Sequence, residues 1–186
     1  MRAVKPKKKI LVFGDSITQG YDALHPHKRY AARLADALNA EEINKAIGAE
    51  VFVPELAEIC EDFCPDYISV AYGTNDWSKT GFSDFKSRCE KFFRILARKY
   101  PKSRIFAITP TWRKDYAQSR QGWDFSEVEK TIYEMAEKHD NITPIRGFGF
   151  IPHSEIYFSD LYLHPNDDGF NEYADSLISE IKKPNI

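Results

Sequence analysis

Apolar residues follow two rhythms along the chain. Short runs at residues 10–13, 67–72, 104–109 and 142–145 carry little or no polar alternation, which suits strands buried on both faces of a parallel sheet. A weaker strand is predicted at 42–46. Between the runs, helical spacing predicts helices over 29–39 (Tyr30, Leu34, Ala37, Leu38), 83–99 (Phe85, Phe92, Ile95, Leu96, with Ser83 as its cap) and 125–139 (Val128, Ile132, Met135, Ala136). A closing helix is predicted over 166–183, with Tyr173, Leu177, Ile178 and Ile181 on one side. A short helix over 54–63 begins with a proline in its first turn and ends before Pro65-Asp66. The stretches 111–122 and 147–160 read as loops.

Strands alternating with helices five times imply a three-layer α/β/α sandwich with a five-stranded parallel sheet, and the doubly wound order 2-1-3-4-5 suits that count. In this order the first strand lies between the second and third. Residues following those strands therefore meet at one crevice at the carboxyl edge of the sheet. A length of 186 residues fits a single domain over 1–186, long enough to bury its core without staples.

Composition narrows the function classes. A net charge of −2 leaves no electrostatic footprint for nucleic acid, and the basic run at 5–9 reads as a solvated tail. The apolar stretch after that run is too short for a secretory signal, and no stretch is long enough to span a membrane. Cys60, Cys64 and Cys89 form an odd set without a zinc pattern, so they read as reduced packing thiols of a cytoplasmic protein. His25-Pro26-His27 lacks partners spaced to complete a metal site and reads as an exposed loop.

Candidate chemistry starts where the first strand stops, at Gly14-Asp15-Ser16. Asp and Ser commonly satisfy backbone amides in such a turn, so Ser16 becomes a nucleophile only if the chain supplies a base. His164, on the loop before the last helix, is the candidate base, and Asp160 could orient its ring. The same stretch also fits a plain turn with Asn166 as helix cap. Asn75, after the third strand, offers an amide that with the backbone N–H groups of Ser16 and Ala49 would form an oxyanion hole. Tyr21, Trp77, Trp112, Arg113 and Tyr162 sit where they could line a pocket, although rim packing explains each as well.

Gly-Asp-Ser-Ile-Thr at 14–18, Asn-Lys-Ala-Ile-Gly-Ala at 44–49, Gly-Thr-Asn-Asp at 73–76 and Asp-Leu-Tyr-Leu-His-Pro-Asn at 160–166 together resemble the four blocks of the SGNH, or GDSL-type, serine hydrolases. The resemblance implies a flavodoxin-like α/β/α fold and ester hydrolysis through an acyl-enzyme, without metal or cofactor. It implies Ser16 as nucleophile, His164 as base, and Ser16 N–H and the Asn75 amide as oxyanion donors. Two positions depart from the family pattern. Ala49 stands where the family has glycine, with Gly48 as the alternative donor. Asp160 lies four residues before His164 rather than three. The lipase elbow G-x-S-x-G and a phosphate-binding glycine loop are both absent. The expected substrate is a small-molecule or carbohydrate ester with a short acyl group. The alternative is a non-catalytic binding module on the same scaffold.

Overall fold

A computed structural model describes residues 8–183. The main sheet is built from β1 (Lys8–Gly14), β2 (Ala40–Asn44), β3 (Tyr67–Ala71), β4 (Arg104–Ile108) and β7 (Ile142–Ile145), while β5 (Ser119–Arg120) and β6 (Trp123–Asp124) form a small separate hairpin. All pairings in the main sheet are parallel, in the order β2-β1-β3-β4-β7. The helices are α1 (Ser16–Gln19), α2 (Tyr30–Ala37), α3 (Pro54–Glu58), α4 (Thr74–Lys79), α5 (Phe82–Lys99), α6 (Ser126–Ala136) and α7 (Asp167–Ile181).

The alternation of side chains along each strand divides the apolar runs between two cores. Leu11, Phe13, Ile68, Val70, Ile105 and Ala107 face the layer formed by α3, α5 and α6. Ile10, Val12, Tyr67, Phe106 and Ile108 face α2 and α7. With both faces covered, the central strands have no solvent side to mark with polar residues, which is why their sequences read as unbroken apolar runs.

Several boundaries differ from the sequence expectation. β2 starts two residues earlier, because Lys8 pairs with Ala40 and Val12 with Asn44; the Asn44 side chain then accepts from Ala46 N at 2.9 Å and turns the chain away. The helix expected over 54–63 stops at Glu58, which leaves Cys60 and Cys64 exposed rather than packed; Cys89 is buried in the core. α5 begins after Gly81, and Ser83 makes no cap bond. Of the basic run, residues 5–7 lie outside the described residues, whereas Lys8 and Lys9 open β1 instead of a tail; Lys8 Nζ donates to the Tyr67 hydroxyl at 2.6 Å.

Candidate active site

Ser16 opens α1 immediately beyond β1. The carboxylate of Asp15 caps that helix by accepting from Ile17 N at 3.0 Å, which leaves the Ser16 hydroxyl free to point elsewhere. Gly14 is needed at the strand exit because a Cβ there would meet Thr18 Oγ1 at 2.0 Å and Ala71 O at 2.9 Å.

The Ser16 hydroxyl lies 3.0 Å from His164 Nε2, and His164 Nδ1 lies 2.8 Å from Asp160 Oδ2. The other oxygen of Asp160 accepts the backbone N–H groups of Tyr162, Leu163 and His164 at 2.9, 2.7 and 3.1 Å. Partial burial opposes the charged form of Asp160. The Leu163 N–H, the His164 ring and the other two amides outweigh it and hold the carboxyl below its usual range. The extra residue between acid and base is absorbed by Leu161, which adopts φ 56°. Asn166 also serves as the helix cap, accepting from Asp168 N and Gly169 N, so the turn and the Ser16–His164–Asp160 chain coexist in one segment.

Asn75 lies in the first turn of α4, a helix that the spacing of apolar residues does not predict. Gly73, with φ 116°, feeds the chain into it where a Cβ would strike Val128 Cγ1 at 2.5 Å. The Asn75 amide donates to Asp15 Oδ2 at 3.3 Å, so the residue beside Ser16 also orients the amide. Asp15 is buried, and that burial lifts its carboxyl to about 6 despite the pull of the Ile17 N–H and of His164.

The segment after β2 is tied to the same strand end, since Ile47 N donates to Gly14 O at 3.0 Å. A turn follows in which Glu50 N donates to Ile47 O at 3.2 Å, with Ala49 at φ 63° and its carbonyl held by Lys79 Nζ at 2.6 Å. The left-handed conformation therefore falls on Ala49 and not on Gly48, so the departure from the glycine pattern sits at the strained position. Among the described residues, the backbone N–H groups of Ser16, Gly48 and Ala49 are not donated to any protein acceptor.

The five pocket candidates separate. Tyr21 is exposed and places its ring 4.9 Å from that of His164, and Tyr162 is half-buried on the loop that carries His164. Trp77 is core, Trp112 packs on Phe158 and His153, and Arg113 is buried against Asp115. Asp115 and Arg120, which complete that cluster, were missed in the sequence because isolated charges in a polar loop carry no periodic signal. Behind Asp15, a void of about 20 Å³ is lined by Ile17, Thr18, Tyr72, Thr109 and Tyr173. A larger cleft of about 460 Å³ lies between Tyr116, Gln118, Phe125, Glu129 and Phe148 and is lined by none of Ser16, Asn75 and His164. Among the described residues, no group of three or more His, Cys, Asp or Glu is placed to hold a metal ion, and no helix is long and apolar enough to cross a membrane.

A family model for the GDSL-like lipase/acylhydrolases matches residues 12–171. The chain belongs to that family. Its match spans β1 to the first turn of α7 and so includes Ser16, Ala49, Asn75, Asp160 and His164. The class of activity attached to this GDSL-type family is that of hydrolases acting on esters. No curated protein matches the sequence.

Solved structures share the fold. The salicylyl-acyltransferase SsfX3 from a tetracycline biosynthetic pathway superposes with TM-score 0.82 at 22% identity, covering 100% of this chain and 56% of that one. A protein from Bacteroides ovatus ATCC 8483 described as a GDSL-like lipase gives 0.79 at 24% identity over 96% of this chain and 54% of that one. A carbohydrate esterase of family 2 from Corynascus thermopiles (Myceliophthora fergusii), solved with a carbohydrate-binding domain, gives 0.77 at 18% identity over 97% and 67%. The GDSL-type chain thus spans roughly half to two-thirds of these three proteins, and at such identities the likeness is one of fold.

Proposed function

We propose that this chain is a serine esterase in which Ser16 attacks the acyl carbonyl of an ester. His164 Nε2 takes the hydroxyl proton and returns it to the departing alcohol, leaving an acyl-Ser16 intermediate; His164 then deprotonates a water that attacks the same carbonyl, and as the Ser16 Oγ–acyl bond breaks it passes that proton to Ser16 Oγ, releasing the acid. Asp160 holds the imidazole in the tautomer that keeps Nε2 free to accept. The Asn75 amide and the N–H groups of Ser16 and Ala49 stabilise the tetrahedral oxyanion, where each such donor is typically worth about 10²–10³ in rate. The observation that carries this reading is the continuous contact from Ser16 through His164 to Asp160, at 3.0 and 2.8 Å. A binding module has no use for a serine, an imidazole and a carboxylate aligned in that order.

The acyl group is proposed to be short, since no long apolar segment that could cover a hydrocarbon chain lies between the strands among the described residues. The alcohol is proposed to be a small molecule or a carbohydrate, in keeping with the carbohydrate esterase among the structural relatives. Exposed, unpaired Cys60 and Cys64 favour a reducing compartment such as the cytoplasm.

The test is hydrolysis of p-nitrophenyl esters from acetyl to octanoyl by the protein and its Ser16→Ala and His164→Ala variants. Acetyl should turn over fastest, and each variant should lose about 10³-fold or more, because such residues act as a unit. Undiminished turnover by both variants would reject the nucleophile and base, and rates rising towards octanoyl would reject the short acyl group.

A further inference from the structure

The segment that brings His164 to Ser16 contains a residue in a costly conformation. Leu161, at φ 56°, sits in the left-handed region, where a non-glycine residue is strained and persists only if its surroundings hold it. The next residue, Tyr162, is held at both ends. Its carbonyl accepts from Lys114 N at 3.0 Å, and its hydroxyl accepts from Arg120 Nη2 at 3.0 Å, with Arg113 Nη2 at 3.5 Å. Its ring also faces the Arg113 guanidinium, 5.6 Å from the ring centre.

Arg113 continues the connection across the molecule. It is buried, pairs with Asp115 through Nε at 2.6 Å and Nη2 at 3.3 Å, and lies over the Trp77 ring at 4.8 Å. Its Nη1 donates to Thr74 O at 3.1 Å, Thr74 Oγ1 at 3.0 Å and Ser78 Oγ at 3.3 Å. Thr74 directly precedes Asn75 at the start of α4. One guanidinium therefore links the helix that presents Asn75 to the segment that presents His164. A planar fork with five donors in fixed directions reaches all of these partners at once, where a lysine has only three donors on one atom.

We propose that Tyr162, clamped by Arg113, Asp115 and Arg120, is a positioning residue that fixes the Asp160–His164 pair over Ser16 and keeps it in register with Asn75. The route is short, because Tyr162 N is itself one of the three amides bonded to Asp160 Oδ1, at 2.9 Å. Displacing Tyr162 turns the Asp160 carboxylate, and the imidazole turns with it. This inference rests on the esterase reading of Ser16 and His164.

The experiment compares Tyr162→Phe, Asp160→Asn and the double variant in p-nitrophenyl acetate hydrolysis, with Arg120→Gln as a second probe of the clamp. Tyr162→Phe keeps the ring over Arg113 and removes only the hydroxyl. It should lower kcat about tenfold and leave KM within about twofold, since misalignment raises the barrier without removing a substrate contact. Arg120→Gln should act in the same direction. Because the clamp works through Asp160, the double variant should be no more than about threefold slower than Asp160→Asn alone. Full kcat in both Tyr162→Phe and Arg120→Gln, or losses that multiply in the double variant, would overturn the proposal. A Ser16→Ala protein that still hydrolyses the ester would instead overturn the reading beneath it, so the two failures are told apart.

Discussion

Ala49 shows what one side chain can record. It occupies the residue of the turn with φ 63°, where glycine is the unstrained choice, yet its N–H remains undonated beside the strand end that presents Ser16. Substituting Ala49→Gly relieves the left-handed penalty but returns flexibility to the unfolded chain, and the two effects partly cancel. Denaturant midpoints should show a gain of up to about 1 kcal/mol, with kcat unchanged within about twofold. A tenfold loss of activity would mean that the methyl group itself contributes to the site. Asp160 makes a parallel case: its four-residue separation from His164 matters little, because Leu161 takes up the extra residue and four hydrogen bonds gather on one carboxylate.

Between elements, Asp76, the last residue of the Gly-Thr-Asn-Asp block, joins two segments. From α4 its Oδ1 accepts Phe52 N at 3.1 Å, which ties the Asn75 helix to the segment leading into α3, while its Oδ2 is buried without a hydrogen-bond partner among the described residues. Burial, with the nearby Asp15 charge in support, raises the Asp76 carboxyl to about 7 from an ordinary value of 3.8. Between those values the folded protein binds more protons than the unfolded chain. The stability that Asp76 contributes is therefore full below about pH 4 and is lost as pH rises through about 7, and Asp15 acts with the same sign up to about 6. Asp76→Asn should flatten the decline of the denaturant midpoint between pH 4 and 8, and a decline as steep as that of the unaltered protein would contradict this assignment. The elements legible in the sequence were those with strong apolar rhythm, such as β1, β3, β4, α5 and α7. α4 escaped because Gly-Thr-Asn-Asp is good turn chemistry and the helix runs only six residues, Thr74–Lys79. The β5/β6 hairpin has two residues in each strand, too few to show alternation. The segment after Glu58 lost its expected helix because Ile59 turns to an extended conformation and its carbonyl is taken by Lys99 Nζ.

At the scale of the molecule, sheet order decides the chemistry. Ser16 and His164 are separated by 148 positions, and they meet because β1 lies between β2 and β3 while α7 packs back against α2 on the same face. Strand count and winding made the meeting of Ser16 with the 44–49 segment and Asn75 readable, and His164 was a candidate only by its place on the loop before the last helix; the Arg113–Asp115–Arg120 cluster was not readable, since its members share no face of any element. The central claim is that this arrangement turns Ser16 into a nucleophile. The most direct measurement is intact-mass analysis with peptide mapping after brief exposure to a small fluorophosphonate. Expected is a single adduct, on Ser16, forming about 100-fold or more slower in His164→Ala. No adduct, an adduct on another residue, or equal labelling rates in the two proteins would contradict it.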